Sequence, residues 1–153
     1  MNITSLSALA LSSAIHERSL SCVEVMNAYL DRIERLNPTF NAIVSLIDRG
    51  TLIKTSQALD EELSKGQSRG WMHGFPCAPK DLALTQGLTT TLGSPLFLNH
   101  VPSEDTLSVS RMRASGAVLI GKTNTPEFGL GSNTYNTVFG TTLNAYNPKK
   151  TAG

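Results

Sequence analysis

The sequence predicts an α/β fold with much parallel strand pairing, and three observations predict it. Stretches with helical spacing alternate with short apolar runs rich in β-branched residues, such as "NAIVSLID" at 41–48 and "GAVLIG" at 116–121. Turn signals separate the two kinds of segment, Asn37-Pro38 and "KGQSRG" at 65–70 being the plainest. A chain of 153 residues, 40% hydrophobic, is long enough for one domain with a sizeable core.

In chain order, residues 5–16 predict a short helix with Leu6, Leu9 and Ala10 on one face. Ser21, followed three residues later by Glu24, fits a capping box, in which hydroxyl and carboxylate each satisfy a backbone N–H that the helix leaves free. The helix it opens reaches Leu36, with Val25, Met26, Tyr29, Leu30, Ile33 and Leu36 at helical spacing, and Asn37-Pro38 ends it. Residues 41–48 read as a buried strand and 51–65 as a helix with a charged face. The loop at 65–70 sets a soft boundary between an N-terminal helical region, 1–65, and a second region, 66–153. "HGFPCAPK", 73–80, reads as an irregular strand whose prolines suit an edge or a bulge. Residues 104–115 read as a helix, and 116–121 as a central strand.

Charge is unevenly spread. Only 16% of the residues are charged, against roughly 25% in an average soluble domain. Residues 1–81 hold 17 of the 25 charges, whereas 82–148 hold six. A surface normally carries charge on every side, so the second half is expected to be covered by more chain or by a partner. The net charge of +1, with no Lys/Arg stripe, gives no footprint for nucleic acid. No apolar run is long enough for a membrane span. Cys22 and Cys77 make no disulfide framework, and reduced thiols in a cytoplasmic protein are the simpler expectation.

"GAVLIGKT", Gly116 to Thr123, matches a phosphate-loop pattern literally, and Asp48 ends an apolar run as a magnesium site would require. A phosphate loop, however, presents its N–H groups from a turn placed after the strand. Here the intervening Ala-Val-Leu-Ile are the strand, and Asn124-Thr125-Pro126 is a poor helix start. Lys122 is therefore read as a strand-end residue at the sheet rim. His73 and Cys77 do not make a thiol nucleophile with its base, since residues four apart in an extended segment stand roughly 13 Å apart. Cys77 reads as a small buried apolar residue, and His16 and His100 as surface or loop residues. Three histidines and two cysteines without paired spacing offer no zinc site.

Lys80 stands beside Asp81 at the entrance to a segment with no further charge until Glu104. By spacing alone, an ion pair with a nearby carboxylate is one reading of Lys80. A second reading comes from its surroundings. "GFPCAPKD", "GLTTTLGSPLF", "EDTLSVSRMRASGAVLIGKTNTPEFGLGSNTYN" and "FGTTLNAYNP", in this order, resemble the amidase signature family from Gly74 onward.

The resemblance implies a mixed, partly parallel sheet flanked by helices, with 66–153 forming the first part of the amidase signature core. It also implies hydrolysis or transfer of amides by a Ser–cisSer–Lys triad, with Lys80 as its lysine and no metal or organic cofactor. The family's serines lie in and beyond a GGSSGG-type stretch, and "NPKKTAG" leads up to that stretch without including it. A lysine acts as a general base only when neutral, so its pKa must fall from about 10.4 to near 7, roughly 4–5 kcal/mol, which desolvation can supply. Asp81 points to the opposite strand face and is expected to anchor backbone N–H groups. Pro79 stands where many relatives have an aliphatic residue, and without an N–H it makes strand pairing there one-sided. Gly129, Gly131 and Ser132 match the family's substrate-pocket loop, while ordinary turn glycines remain an equal reading of the two glycines. The expected partners are a small amide substrate and further copies of this chain. A non-catalytic binding or assembly module is the alternative.

Overall fold

The computed structural model describes residues 2–153 and gathers them into two compact units, each assembled from three stretches of chain. The first comprises 2–33, 47–77 and 111–120; the second comprises 34–46, 78–110 and 121–153.

In the first unit, helix α1 (Ala8–His16) opens where the Ser7 hydroxyl accepts from the Ala10 N–H at 3.2 Å. Its buried face is Leu11, Ala14 and Ile15, not the expected Leu6–Leu9–Ala10 face; Leu9 is 79% exposed. The apolar run continues past Ala10, and the later set keeps the i, i+3, i+4 spacing that one face requires. Helix α2 (Cys22–Phe40) begins with the expected capping box: Glu24 N–H donates to Ser21 Oγ at 3.1 Å, and Ser21 N–H to Glu24 Oε2 at 2.8 Å. Asp60 satisfies two more free donors there, Cys22 N–H at 2.7 Å and Val23 N–H at 3.2 Å. Asp60 lies on α3 (Arg49–Ser64), a helix that Asp48 caps by accepting from Thr51 N–H at 2.9 Å. Asp48 thus has a structural task, and the chain enters the helix two residues earlier than its sequence suggests.

The core of this unit includes Ile15, Val25, Met26, Leu30, Leu52 and Leu59. His73 is buried among these elements. Its Nδ1 accepts from Arg69 N–H at 3.1 Å, and its Nε2 donates to the Leu59 carbonyl at 3.1 Å. Both ring nitrogens are used structurally, and none is left to serve Cys77. Strand β2 (Pro76–Cys77) pairs in parallel with β3 (Val118–Leu119), and the Ile120 carbonyl accepts from Ile47 N–H on the other side at 2.8 Å. Ala117 to Ile120 are all buried, so the Ala-Val-Leu-Ile stretch is a strand and not a phosphate loop. Gly74, at φ +79°, allows the chain to cross Cys22: a Cβ there would stand 2.4 Å from Cys22 Sγ.

In the second unit the last turn of α2 runs through Pro38 instead of stopping before it. A proline this close to the end removes only one intrahelical donor. Asn41 N–H still closes onto the Asn37 carbonyl at 2.7 Å, and the Asn37 side chain accepts from Ala42 and Ile43 N–H at 2.9 and 2.8 Å. That cap delivers the chain into β1 (Ile43–Val44), antiparallel to β4 (Lys122–Thr123). Helix α4 (Leu107–Ala114), whose residues from Arg111 onward count with the first unit, is shorter than the predicted 104–115, and β5 (Tyr135–Asn136) forms an antiparallel pair with β6 (Gly140–Thr141).

The architecture is mixed α/β, helices with short sheets. Parallel pairing is less extensive than the sequence suggests, being confined among the described residues to β2–β3 and a bridge between Lys80 and Thr123. Pro79, which has no N–H to donate, stands between β2 and that bridge and cannot extend the pairing.

Candidate active site

The structure places Lys80 on the surface of the second unit and fixes its backbone tightly. Thr123 N–H donates to the Pro79 carbonyl at 3.0 Å, and Asp81 N–H donates to the Thr123 carbonyl at 2.9 Å, so Thr123 grips the residues on either side of Lys80. The Lys80 carbonyl accepts from Ala83 N–H at 2.9 Å, turning the chain immediately afterward. The side chain itself is exposed.

Asp81 is buried and engaged at every polar group. Its carboxylate accepts from Thr91 N–H at 3.1 and 3.2 Å and from Thr91 Oγ1 at 2.6 Å, and its carbonyl accepts from Leu92 N–H at 3.1 Å. It is therefore the backbone anchor that strand alternation predicts, on the face opposite Lys80. Burial pushes its carboxyl pKa up; the bonds from Thr91 and the positive charge of Lys122 pull it back down.

Lys122 differs from its reading as a rim residue. It is 0% exposed, donating to the Ala83 carbonyl and, at 2.7 Å, to Thr85 Oγ1. Desolvation lowers its pKa from 10.5 to about 8, against the opposing pull of Asp81 and Asp105. For each member of the Asp81–Lys122 couple, loss of water outweighs the mutual attraction.

The Gly129–Ser132 loop is joined to the same scaffold. Phe128 N–H donates to the Leu92 carbonyl at 2.7 Å, and Gly129, at φ +72°, lies so near Leu82 that a Cβ would sit 2.7 Å from Leu82 Cδ1. Steric fit explains the glycine at 129. Gly131, at φ +107°, and Ser132 are exposed. A cavity of about 280 Å³ is lined by Pro126, Glu127, Phe128 and Leu130 of this loop and by Tyr135, Asn136 and Thr137. Gly129, Gly131 and Ser132 are not among its lining residues. Its floor is held by neutral amides: Asn136 Nδ2 donates to Asn124 Oδ1 at 2.7 Å and to the Thr125 carbonyl at 2.8 Å. Among the described residues no group of three His, Cys, Asp or Glu side chains is arranged to hold a metal ion, and no helix is long and apolar enough to cross a membrane.

The scaffold is mixed α/β and fixes a Lys-Asp pair beside a Gly/Thr/Ser-rich segment. The chain belongs to the amidase (amidase signature) family, whose profile matches residues 24–153. Over its whole length it is 34% identical to the A-type component of a glutamyl-tRNA(Gln) amidotransferase from Alkaliphilus metalliredigens, of which it covers 31%. It is 40% identical over 139 residues, 91% of the chain, to the protein of the same name from Dehalococcoides mccartyi, of which it covers 28%. Among solved structures it superposes on a fatty acid amide hydrolase with a TM-score of 0.88, at 26% identity, over 95% of this chain and 26% of that one. The peptide amidase of Stenotrophomonas maltophilia gives 0.84 at 28% identity, over 94% and 30%. The chain thus spans about a third of the length of the curated relatives it matches.

Proposed function

We propose that this chain supplies the lysine of a Ser–cisSer–Lys amidase, which cleaves a carboxylic amide to a carboxylate and ammonia or an amine. The observation that carries the reading is the placement of Lys80: an exposed amine on a backbone held by Thr123, Ala83 and the buried Asp81, at the family's Lys-Asp position. In the mechanism a neutral lysine receives a proton that a bridging serine relays from the nucleophilic serine. The nucleophile attacks the amide carbonyl, backbone N–H groups stabilise the oxyanion, the proton is handed on to the leaving nitrogen as the C–N bond breaks, and water then hydrolyses the acyl-serine to free the carboxylate. The 153 residues hold the lysine and not the family's two serines, so they do not suffice for turnover by themselves. The names of the curated relatives favour a related second reading, in which the amide nitrogen is transferred within an amidotransferase built from several polypeptides. The 66–153 region is the beginning of the catalytic core in either case, and the setting is cytoplasmic.

The test is amide turnover by a chain continued past Gly153 to include both serines. Activity is expected there and absent from the 153-residue chain, and Lys80→Ala should abolish it. Turnover by the short chain, or turnover that survives Lys80→Ala, would sink the reading.

A further inference from the structure

Among the described residues, the formally charged side chains that are buried are two, Asp81 and Lys122, and both belong to the ladder that carries Lys80. A buried ammonium is costly and persists only with compensating partners. Lys122 has three kinds: the Ala83 carbonyl, the Thr85 hydroxyl, and the charges of Asp81 and Asp105, which face it.

These contacts close a ring. The Lys122 ammonium holds the Ala83 carbonyl, Ala83 N–H holds the Lys80 carbonyl, and Thr123, covalently next to Lys122, holds Pro79 and Asp81. Every other link in the ring is backbone. Because neighbours in a strand alternate faces, Thr123 shares the face of Lys80, whereas Lys122 stands behind it with Asp81.

We propose that Lys122 is a positioning residue: from behind the ladder it fixes the 80–85 turn, so that Lys80 is presented in one orientation on the open face. The proposal rests on the reading of Lys80 as the base and adds the group that holds it in register. A misplaced base costs rate far more than binding, because proton transfer depends steeply on geometry. The lowered Lys122 pKa agrees with this cost being borne for a local task.

Lys122→Met keeps the apolar stem and removes the donor. Amide hydrogen exchange by NMR on the 153-residue chain should show Asp81, Ala83 and Thr123 exchanging about tenfold faster or more, with Val118 and Ile120 unchanged. In a chain continued past Gly153, the same variant should lower kcat about tenfold or more while KM stays within about twofold. Lys122→Gln, which retains a shorter donor, should recover part of both effects. Wild-type exchange at the three amides in a folded Lys122→Met overturns the proposal. So does a uniform acceleration that includes Val118 and Ile120, since that reports general destabilisation. Should Lys122→Met fail to fold, Lys122→Gln decides instead: faster exchange at Asp81, Ala83 and Thr123, with Val118 and Ile120 unchanged, is expected, and wild-type exchange at the three amides overturns the proposal equally. Turnover that survives Lys80→Met would instead overturn the function, and the exchange pattern would still decide whether Lys122 fixes the turn.

Discussion

Titration of Lys122 should couple the stability of this chain to alkaline pH, and Lys122→Met should erase the coupling. In the folded chain burial lowers the Lys122 pKa from 10.5 to about 8, and the unfolded chain restores the ordinary value. Between those values the unfolded chain holds a proton that the folded chain has released. Stability therefore rises with pH across the window and is lost as pH falls back through about 8. A difference of about 2.5 in pKa corresponds to about 3 kcal/mol in total, or about 1.4 kcal/mol for each pH unit inside the window. Cys22 acts in the opposite sense. Burial, reinforced by Asp60, pushes its thiol from 9.0 to about 12, so its contribution is full below 9.0 and is lost as pH rises toward 12. The raw stability curve mixes the two groups, but the difference between wild type and Lys122→Met cancels Cys22 and every other group they share. Urea unfolding followed by circular dichroism from about pH 7 to about pH 10 measures it. The wild-type advantage over the variant should grow by about 2–3 kcal/mol between about pH 8 and about pH 10. Parallel curves through that range would refute the reasoning, because they would mean that the Lys122 amine keeps its solution pKa when folded.

Two further outcomes are expected. Gly74→Ala combines a positive φ with a Cβ 2.4 Å from Cys22 Sγ, so it should cost about 2–4 kcal/mol, read as a lower melting temperature; an unchanged melt would show that the loop shifts without cost. Self-association should appear at micromolar concentration, because among the described residues nine of the twelve exposed large apolar side chains, Leu96 at 82% and Tyr146 at 98% among them, fall in the charge-poor stretch 82–148; a monomeric sedimentation profile at high concentration would count against it.

What the sequence revealed follows the range of the interactions. The capping box needs only Ser21 and Glu24, three residues apart, and the structure matches it atom for atom. Asp81 as an anchor needed only strand alternation, and its partner Thr91 is ten residues away. Long-range partners were not legible: Lys122 finds Thr85 and Ala83 across 37 and 39 residues, and nothing local distinguishes that lysine from one at a sheet rim. The α2 terminus failed for a related reason. Pro38 is a stop signal only if its neighbours leave the turn open, and Asn37 closes it through contacts with 41–43 that become visible only once folded. On α1 the spacing was sound but the face was not, because which stripe meets the core is decided by the partner helices.

The scarcity of charge in the second half has a physical explanation in the site's polar groups. Thr85, Thr90, Thr91, Asn124, Thr125, Asn136 and Thr142 are all buried there, and their hydroxyls and amides bond one another, nearby carbonyls or, for Thr91, the Asp81 carboxylate. Neutral donors and acceptors of this kind keep a buried polar framework satisfied at far lower desolvation cost than ions do. Against that background the two buried charges are specific: Asp81 and Lys122 flank the ladder position that holds Lys80. On the proposed reading of Lys80 as the base, additional carboxylates near it would hold its proton in place. The second half is thus built largely on buried threonine and asparagine, with Asp81 and Lys122 as its buried charges among the described residues. The same composition leaves a surface poor in charge and rich in exposed leucine, consistent with a face that more chain or a partner protein covers.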